Sequence, residues 1–253
     1  MDRDLIKAHL NLYAVLQNLE DLVKLDPEMA ALTKTWDVSI QFAVRNGPSA
    51  YLEFRDGACR HGMGAHPGPS VKLYFTSPKH LNDMFDGKGN PIPLKGFTKL
   101  GFLKNQFSKL TDRMAHYLKP ANGEAAEAAY VKINTILTLY TAAHAVKVLG
   151  QMDAVCMTVA SHIPAGTLQM EVLPDGPYAN IVFAGDDIRV AKGVAPNPSA
   201  KMTFKSLDIA HKLLNGQLDG FLGVAQGNVL LQGIIPMIDG VNLILDRVEG
   251  YLK

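Results

Sequence analysis

The apolar positions of this chain change period along its length. Leu5, Leu12, Leu16, Leu19 and Val23 recur at helical spacing and predict an amphipathic opening helix. The period then shortens to two. "VSIQFAV" from Val38 and "YLEF" from Tyr51 alternate between apolar and polar positions, and Asn46-Gly47, Asp56-Gly57 and Pro67-Gly68-Pro69 punctuate them. Asn-Gly and Asp-Gly tolerate positive φ, so the pattern predicts tight hairpins and an antiparallel sheet. Later in the chain Asp175-Gly176, Gly185-Asp186 and Pro196-Asn197-Pro198 repeat the same order of turns. There "LDIAHKLLNGQ" reads as a helix closed by Gly216, "GNVLLQG" as a short strand, and Met237 to Tyr251 as a terminal helix. The fold class is α+β.

The second series of turns belongs to a second copy of the first. "GPSAYLEFRDGACRHGMGAHPGPSVKLYFTS" from Gly47 aligns without a gap on "GPYANIVFAGDDIRVAKGVAPNPSAKMTFKS" from Gly176. Gly64/Gly193, Pro67/Pro196, Pro69/Pro198, Ser70/Ser199 and Phe75/Phe204 are among the identities. "NLYAVLQNLEDLVKLD" from Asn11 matches "TLYTAAHAVKVLGQMD" from Thr138, and both copies end in Tyr-Leu, at Tyr117-Leu118 and Tyr251-Leu252. We read a tandem duplication with domains at 1–120 and 121–253, joined by a linker around "KPANGEAAEAA" from Lys119.

At 253 residues and 47% hydrophobic composition each copy can bury a core. The net charge of +1 provides no overall field to attract a nucleic-acid backbone. Residues 1–120 carry 16 Lys/Arg against 12 Asp/Glu, and residues 121–253 carry 9 against 12, so the copies have opposite signs. Only Cys59 and Cys156 are present, and "MDRDLIKAHL" has charges where a signal peptide has its apolar core, which predicts a reducing cytoplasm. No apolar run reaches the length needed to cross a bilayer.

One stretch invites a metal. "CRHGMGAH" places Cys59, His61 and His66 within eight residues, with Cys59 and His61 on one strand face. The second copy answers it, because these positions become Ile188, Val190 and Ala195 while the glycine and the Pro-x-Pro-Ser turn persist. The shared property is backbone shape, and a metal-dependent enzyme using these residues is the least favoured reading. No catalytic motif is recognisable, so no enzyme activity and no cofactor are expected.

What remains is apolar. In the first copy Leu103, Phe107, Leu110, Met114 and Tyr117 form one stripe, with Lys99, Lys104, Lys109 and Arg113 on the other side. A helix of this pattern reads first as a solvated surface helix, and the alternative is that the helix around Leu103–Tyr117 makes transient contact with an anionic membrane surface. In the second copy Ile234, Ile235, Met237, Ile238, Val241, Leu243, Ile244, Leu245 and Val248 surround the last helix, which predicts cover on more than one side.

From Gly166 to Leu252 the order "GTLQMEV", "ANIVFAGDDIRV", "PNPSAKMTFKSLDIAHKLLNGQLDGFLGVAQGNVLLQG" and a closing apolar helix resembles the sterol carrier protein type-2 family. The first copy resembles a degenerate version: between Gly87 and Gly96 it keeps only "KGNPIPLK", with prolines in place of the strand and no counterpart of Phe221 to Val229. The resemblance implies two tandem units, each an about five-stranded sheet with helices packed on it. It also implies non-catalytic binding of a fatty acyl chain or sterol-like lipid in a hydrophobic tunnel, mainly in the C-terminal copy. Carried onto matching positions, the tunnel lining is Phe221, Leu222, Val229, Leu231, Ile234, Met237, Ile238, Val241 and Leu245, for each of which ordinary core packing is the alternative. The partner is a small apolar lipid, and a monomer or small homo-oligomer is expected. A protein–protein scaffold with filled tunnels is the second reading.

Overall fold

A computed structural model describes residues 2–119 and 127–252. The chain divides into two compact units, Met1–Glu124 and Ala125–Lys253. Most of the sequence-predicted linker lies outside the described residues.

In the first unit a helical run opens with α1 (Arg3–Leu10), passes through a π turn at Asn11–Val15 and a 3-10 turn at Leu16–Asn18, and continues as α2 (Leu19–Leu25) and α3 (Pro27–Thr33). Then follow β1 (Val38–Val44), β2 (Ser49–Arg55), β3 (Ala58–Met63), β4 (Val71–Phe75), α4 (Pro78–Phe85) and β5 (Ile92–Lys95). Short helical turns including α5 (Leu100–Phe102) lead into the closing helix α6 (Ser108–Leu118). The second unit repeats this plan. It consists of α7 (Ala128–Met152), α8 (Ala154–Ser161), β6 (Gly166–Val172), β7 (Tyr178–Ala184), β8 (Asp187–Lys192), β9 (Ala200–Phe204), α9 (Leu207–Leu214), α10 (Gly220–Ala225), β10 (Val229–Gly233) and α11 (Ile235–Leu252).

Each unit holds one five-stranded sheet, ordered β3-β2-β1-β4-β5 and β10-β9-β6-β7-β8. The sheets are mixed, which corrects the antiparallel expectation. β1 runs parallel to β4, with Ile40 opposite Val71, and β6 runs parallel to β9, with Leu168 opposite Ala200. Turn signals report only the hairpins on either side. They are silent about the seven-residue connections, 64–70 and 193–199, that carry the chain from one edge back beyond the central strand. A second correction concerns β5, which forms despite its prolines, as an edge strand with Pro93 opposite Leu73 and a register shift at Lys72/Leu73.

The central strands have two different faces. Ile40, Phe42, Leu168, Met170 and Val172 are buried, and they alternate with Gln41 and Gln169, which point to the face crossed by the connections. Gln41 Nε2 donates to the carbonyls of Phe42, Ala50 and Gly64, and its Oε1 accepts from the His66 N–H at 2.6 Å. Gln169 does the same with Met170, Ala179, Gly193 and the Ala195 N–H. A connection lying across a sheet leaves backbone groups away from water, and a buried amide supplies both the donor and the acceptor they need.

A buried aspartate closes each unit. Asp26 Oδ1 caps α3 by accepting from the N–H groups of Glu28 and Met29, while Oδ2 accepts from Arg113 Nε at 2.6 Å and the Tyr117 hydroxyl at 2.9 Å on α6. Asp153 likewise caps α8 through Val155 and Cys156 and accepts from Arg247 and Tyr251 of α11, at 2.9 and 2.6 Å. Arg113 is thus a latch residue, not part of the solvated basic face that its helical position predicts. Burial alone would raise both carboxyls, but the arginine, tyrosine and backbone hydrogen bonds outweigh it and hold Asp26 below, and Asp153 well below, the ordinary carboxylate range. Burial and the bond to Asp26 push Tyr117 up to about 12.

A carboxyl held below its ordinary value stabilises the fold fully above that value, and the stability is lost as pH falls through and below it. Unfolding by urea should therefore show stability declining as pH drops below the ordinary Asp value of 3.8. Asp26→Asn and Asp153→Asn should each cost about 2 kcal/mol at neutral pH, discounted for the partly exposed arginines, and should flatten this acid limb. An unchanged limb in the double variant would show that other carboxylates govern it.

Candidate functional site

The nine positions carried over from the resemblance fall into three groups. Val229, Met237, Ile238 and Val241 are buried, the last three completely. Leu231, Ile234 and Leu245 are half-buried. Phe221 and Leu222 are outside, at 90% and 49% exposure. The buried group lies where α11 packs against α7, α8 and the β9–β10 edge. Val229 is paired with Phe204, and Leu231 with Met202.

The exposed group is explained by α10. Asp219 caps this helix by accepting from the Leu222 N–H, and a glycine faces inward: a Cβ on Gly223 would meet Val229, Leu213 and Leu218 at 3.4–3.6 Å. The helix therefore approaches β10 through its smallest residue and turns Phe221, Leu222 and Val224 outward, with Leu230 also exposed on β10. This inverts the usual amphipathic rule and leaves large apolar side chains facing solvent. The expectation that α11 is covered on more than one side is met only in part, because Ile235 and Leu243 are exposed at 44% and 56%. Val224, Leu230 and Gly223 were not singled out in the sequence, where the inward glycine and the outward leucines look alike.

Gly233 ends β10 at φ +84°, and a Cβ there would stand 2.2 Å from the Ser199 carbonyl oxygen. Gly96 directly follows β5 at φ +87°, with the Ser70 carbonyl 2.7 Å from the same position. Both glycines carry the chain past the Pro-x-Pro-Ser turn into the closing helix, so this entry is fixed alike in the two units.

The candidate metal ligands are separated by the first sheet. Cys59 and His61 face the helices, where Cys59 is buried and His61 Nε2 lies 2.8 Å from the Leu12 carbonyl. His66 is on the opposite side, its ring edge-on to Tyr51, which covers Gly62, and its Nδ1 accepts from the Gly68 N–H. Among the described residues no three His, Cys, Asp or Glu side chains are grouped to hold a metal ion. Cys156 is buried, and burial together with Asp153 pushes its thiol up to about 12, which leaves it protonated. A cleft of about 340 Å³ beside the β2–β3 hairpin is lined by Glu53, Arg55, Ala58 and Arg60 and is too charged for an apolar cargo.

The membrane-facing stripe expected in the first unit is also placed differently. Phe107, Leu110, Met114 and Tyr117 are buried and Leu103 is half-buried, so this face is core. Among the described residues no helix is long and apolar enough to cross a membrane.

Replacing Gly233 by Ala should destabilise the chain by at least 2 kcal/mol, because backbone and not a flexible side chain blocks the new methyl and φ is left-handed. Gly185→Ala also meets a positive φ of 65° but open space, and should cost less. Equal midpoints for the two in urea would contradict this ranking.

No protein-family model matches this chain, and no curated protein matches its sequence. Among solved structures it is similar to a ubiquinone synthesis protein described as UbiJ-SCP2, at 18% identity and TM-score 0.33, over 42% of this chain and 85% of that one. It is also similar to sterol carrier protein domain 2 of Helicoverpa armigera, at 15% identity and TM-score 0.36, over 46% and 91%. A third is the palmitated SCP2L2 of Aedes aegypti, at 16% identity and TM-score 0.28, over 39% and 94%.

Proposed function

We propose that the second unit binds an apolar chain, a fatty acyl group or a sterol-like lipid, as a non-catalytic carrier, and that the first unit does so weakly or not at all. The observation that carries this reading is α10, which packs on β10 and holds Phe221, Leu222 and Val224 out of the core, beside the β10 residues Val229 and Leu231 named by the sterol-carrier resemblance. Removing an acyl chain from water gains about 0.8 kcal/mol per methylene, so affinity needs no polar motif. In the first unit the chain passes from α4 to β5 with no helix between them, and nothing equivalent to α10 is present among the described residues.

One observation favours the scaffold reading. Met237, Ile238 and Val241 are wholly enclosed by protein atoms, as expected if side chains fill the space assigned to cargo.

Native mass spectrometry of the purified chain and titration with a fluorescent fatty acid separate the two. The carrier reading expects co-purified lipid or saturable binding. Phe221→Ser, at a site where truncation costs the fold little, should weaken that binding roughly tenfold, and Ile238→Asp should abolish it. The Ile238 variant must retain its circular dichroism for the result to count. If neither the parent chain nor any variant binds an acyl or sterol probe, the scaffold reading replaces the carrier.

A further inference from the structure

Between Gly87 and Thr111 the first unit carries five lysines, Lys88, Lys95, Lys99, Lys104 and Lys109, and no acidic residue. None of the five forms an ion pair among the described residues. Of the acids that flank the segment, Asp83 pairs with Lys79 and also feels the charge of Lys88, Asp86 pairs with Lys7, and Asp112 follows Thr111. The same segment exposes four large apolar side chains: Ile92 at 41%, Leu94 at 50%, Phe97 at 63% and Leu100 at 43%. Ile92 and Leu94 lie on the edge strand β5, and Phe97 and Leu100 are three apart on the helical turns that follow.

This exposure is not looseness. Phe102 is fastened edge-on to Trp36 at 4.7 Å, Trp36 stands against Phe54 at 5.1 Å, and Phe54 meets the buried Phe107 at 6.3 Å. The segment is thus anchored by Phe102 and Phe107, with Leu110 also in the core, while Ile92, Leu94, Phe97 and Leu100 are held outside. At Gly96 the Ser70 carbonyl and Val71 prevent a side chain from changing the turn that sets this arrangement.

We infer that residues 88–104 form a docking surface for anionic phospholipid bilayer, with Phe97 and Leu100 entering the interface and Lys88, Lys95, Lys99 and Lys104 meeting the headgroups. Charge decides the occupant: apolar residues among lysines that form no ion pair among the described residues, with no acid in the run, are matched by an anionic lipid surface. A neutral protein groove would leave the four lysines without partners. The inference corrects which part of the closing helical region would meet membrane, moving it from the buried Leu103–Tyr117 stripe to the residues just before it. It does not depend on the second unit holding cargo.

Co-sedimentation of the full chain with vesicles tests it, using equal parts phosphatidylglycerol and phosphatidylcholine against phosphatidylcholine alone. The expected result is binding to the anionic vesicles only, falling as salt rises. Each lysine near such a surface contributes about fivefold, so Lys95→Gln with Lys99→Gln should weaken partitioning on the order of thirtyfold. Phe97→Ser with Leu100→Ser should weaken it roughly tenfold, and Lys132→Gln, exposed on α7 of the second unit, should change it little. Failure of the parent chain to bind anionic vesicles overturns the inference. So does undiminished binding by both double variants, or concentration-dependent self-association in sedimentation velocity that the Phe97/Leu100 variant abolishes, since this face would then cover a second copy. Fatty-acid binding by the second unit should be unchanged in these variants, so a failure here is distinguishable from a failure of the carrier reading.

Discussion

The fold of each unit depends on one short crossing. To set β4 parallel to β1, seven residues must travel from the outer edge of a three-stranded meander across the sheet face, and their peptide groups come to lie against a surface that cannot hydrate them. Gln41 and Gln169 meet that requirement with one carboxamide each, which accepts from the arriving N–H and donates to the carbonyl of the turning glycine. The parallel pair follows, and with it the edge on which β5 or β10 is laid. In these sheets a polar residue at the centre is a condition of the topology.

Duplication makes the two solutions comparable within one chain. The crossing, the glycine at the end of the last strand and the aspartate latch recur. Besides the opening helices, what differs lies between α4 and α6 in the first unit and between α9 and α11 in the second. The second unit inserts α10 and presents an uncharged apolar surface, whereas the first omits it and puts lysines beside its exposed apolar residues. The shared parts are those on which backbone satisfaction depends, and the divergent parts are on the rim.

Much of this was legible in the sequence because turns and periodicity are local. The hairpins, the closing helices and the repeat itself followed from Asn-Gly and Asp-Gly signals and from Gly64/Gly193. Parallel pairing was not legible, because no local pattern records which strand a crossing chain will join. Arg113 was misplaced for a related reason: helical spacing put it on the polar face, and only the fold brings Asp26 beneath that face. Gln41 was hidden in "VSIQFAV", where a polar residue at an alternate position looks like a solvent-facing one. Of the site residues, burial of Met237, Ile238 and Val241 suits their apolar spacing, whereas the 90% exposure of Phe221 arises from an inward glycine two residues away that hydropathy does not weigh.

The aspartate latch has a kinetic consequence. The hydrogen bonds from Tyr117 to Asp26 and from Tyr251 to Asp153 join residues 91 and 98 positions apart, so each closes nearly a whole unit into a loop. Contacts of such long range are formed after the chain-entropy cost of closing the loop has been met, and they belong with the last to be made. Strengthening or weakening a late contact changes the rate of unfolding far more than the rate of folding. The latch is in this sense a clasp on lifetime: it governs how long a unit stays shut once folded, and hence how often its helices part from its sheet.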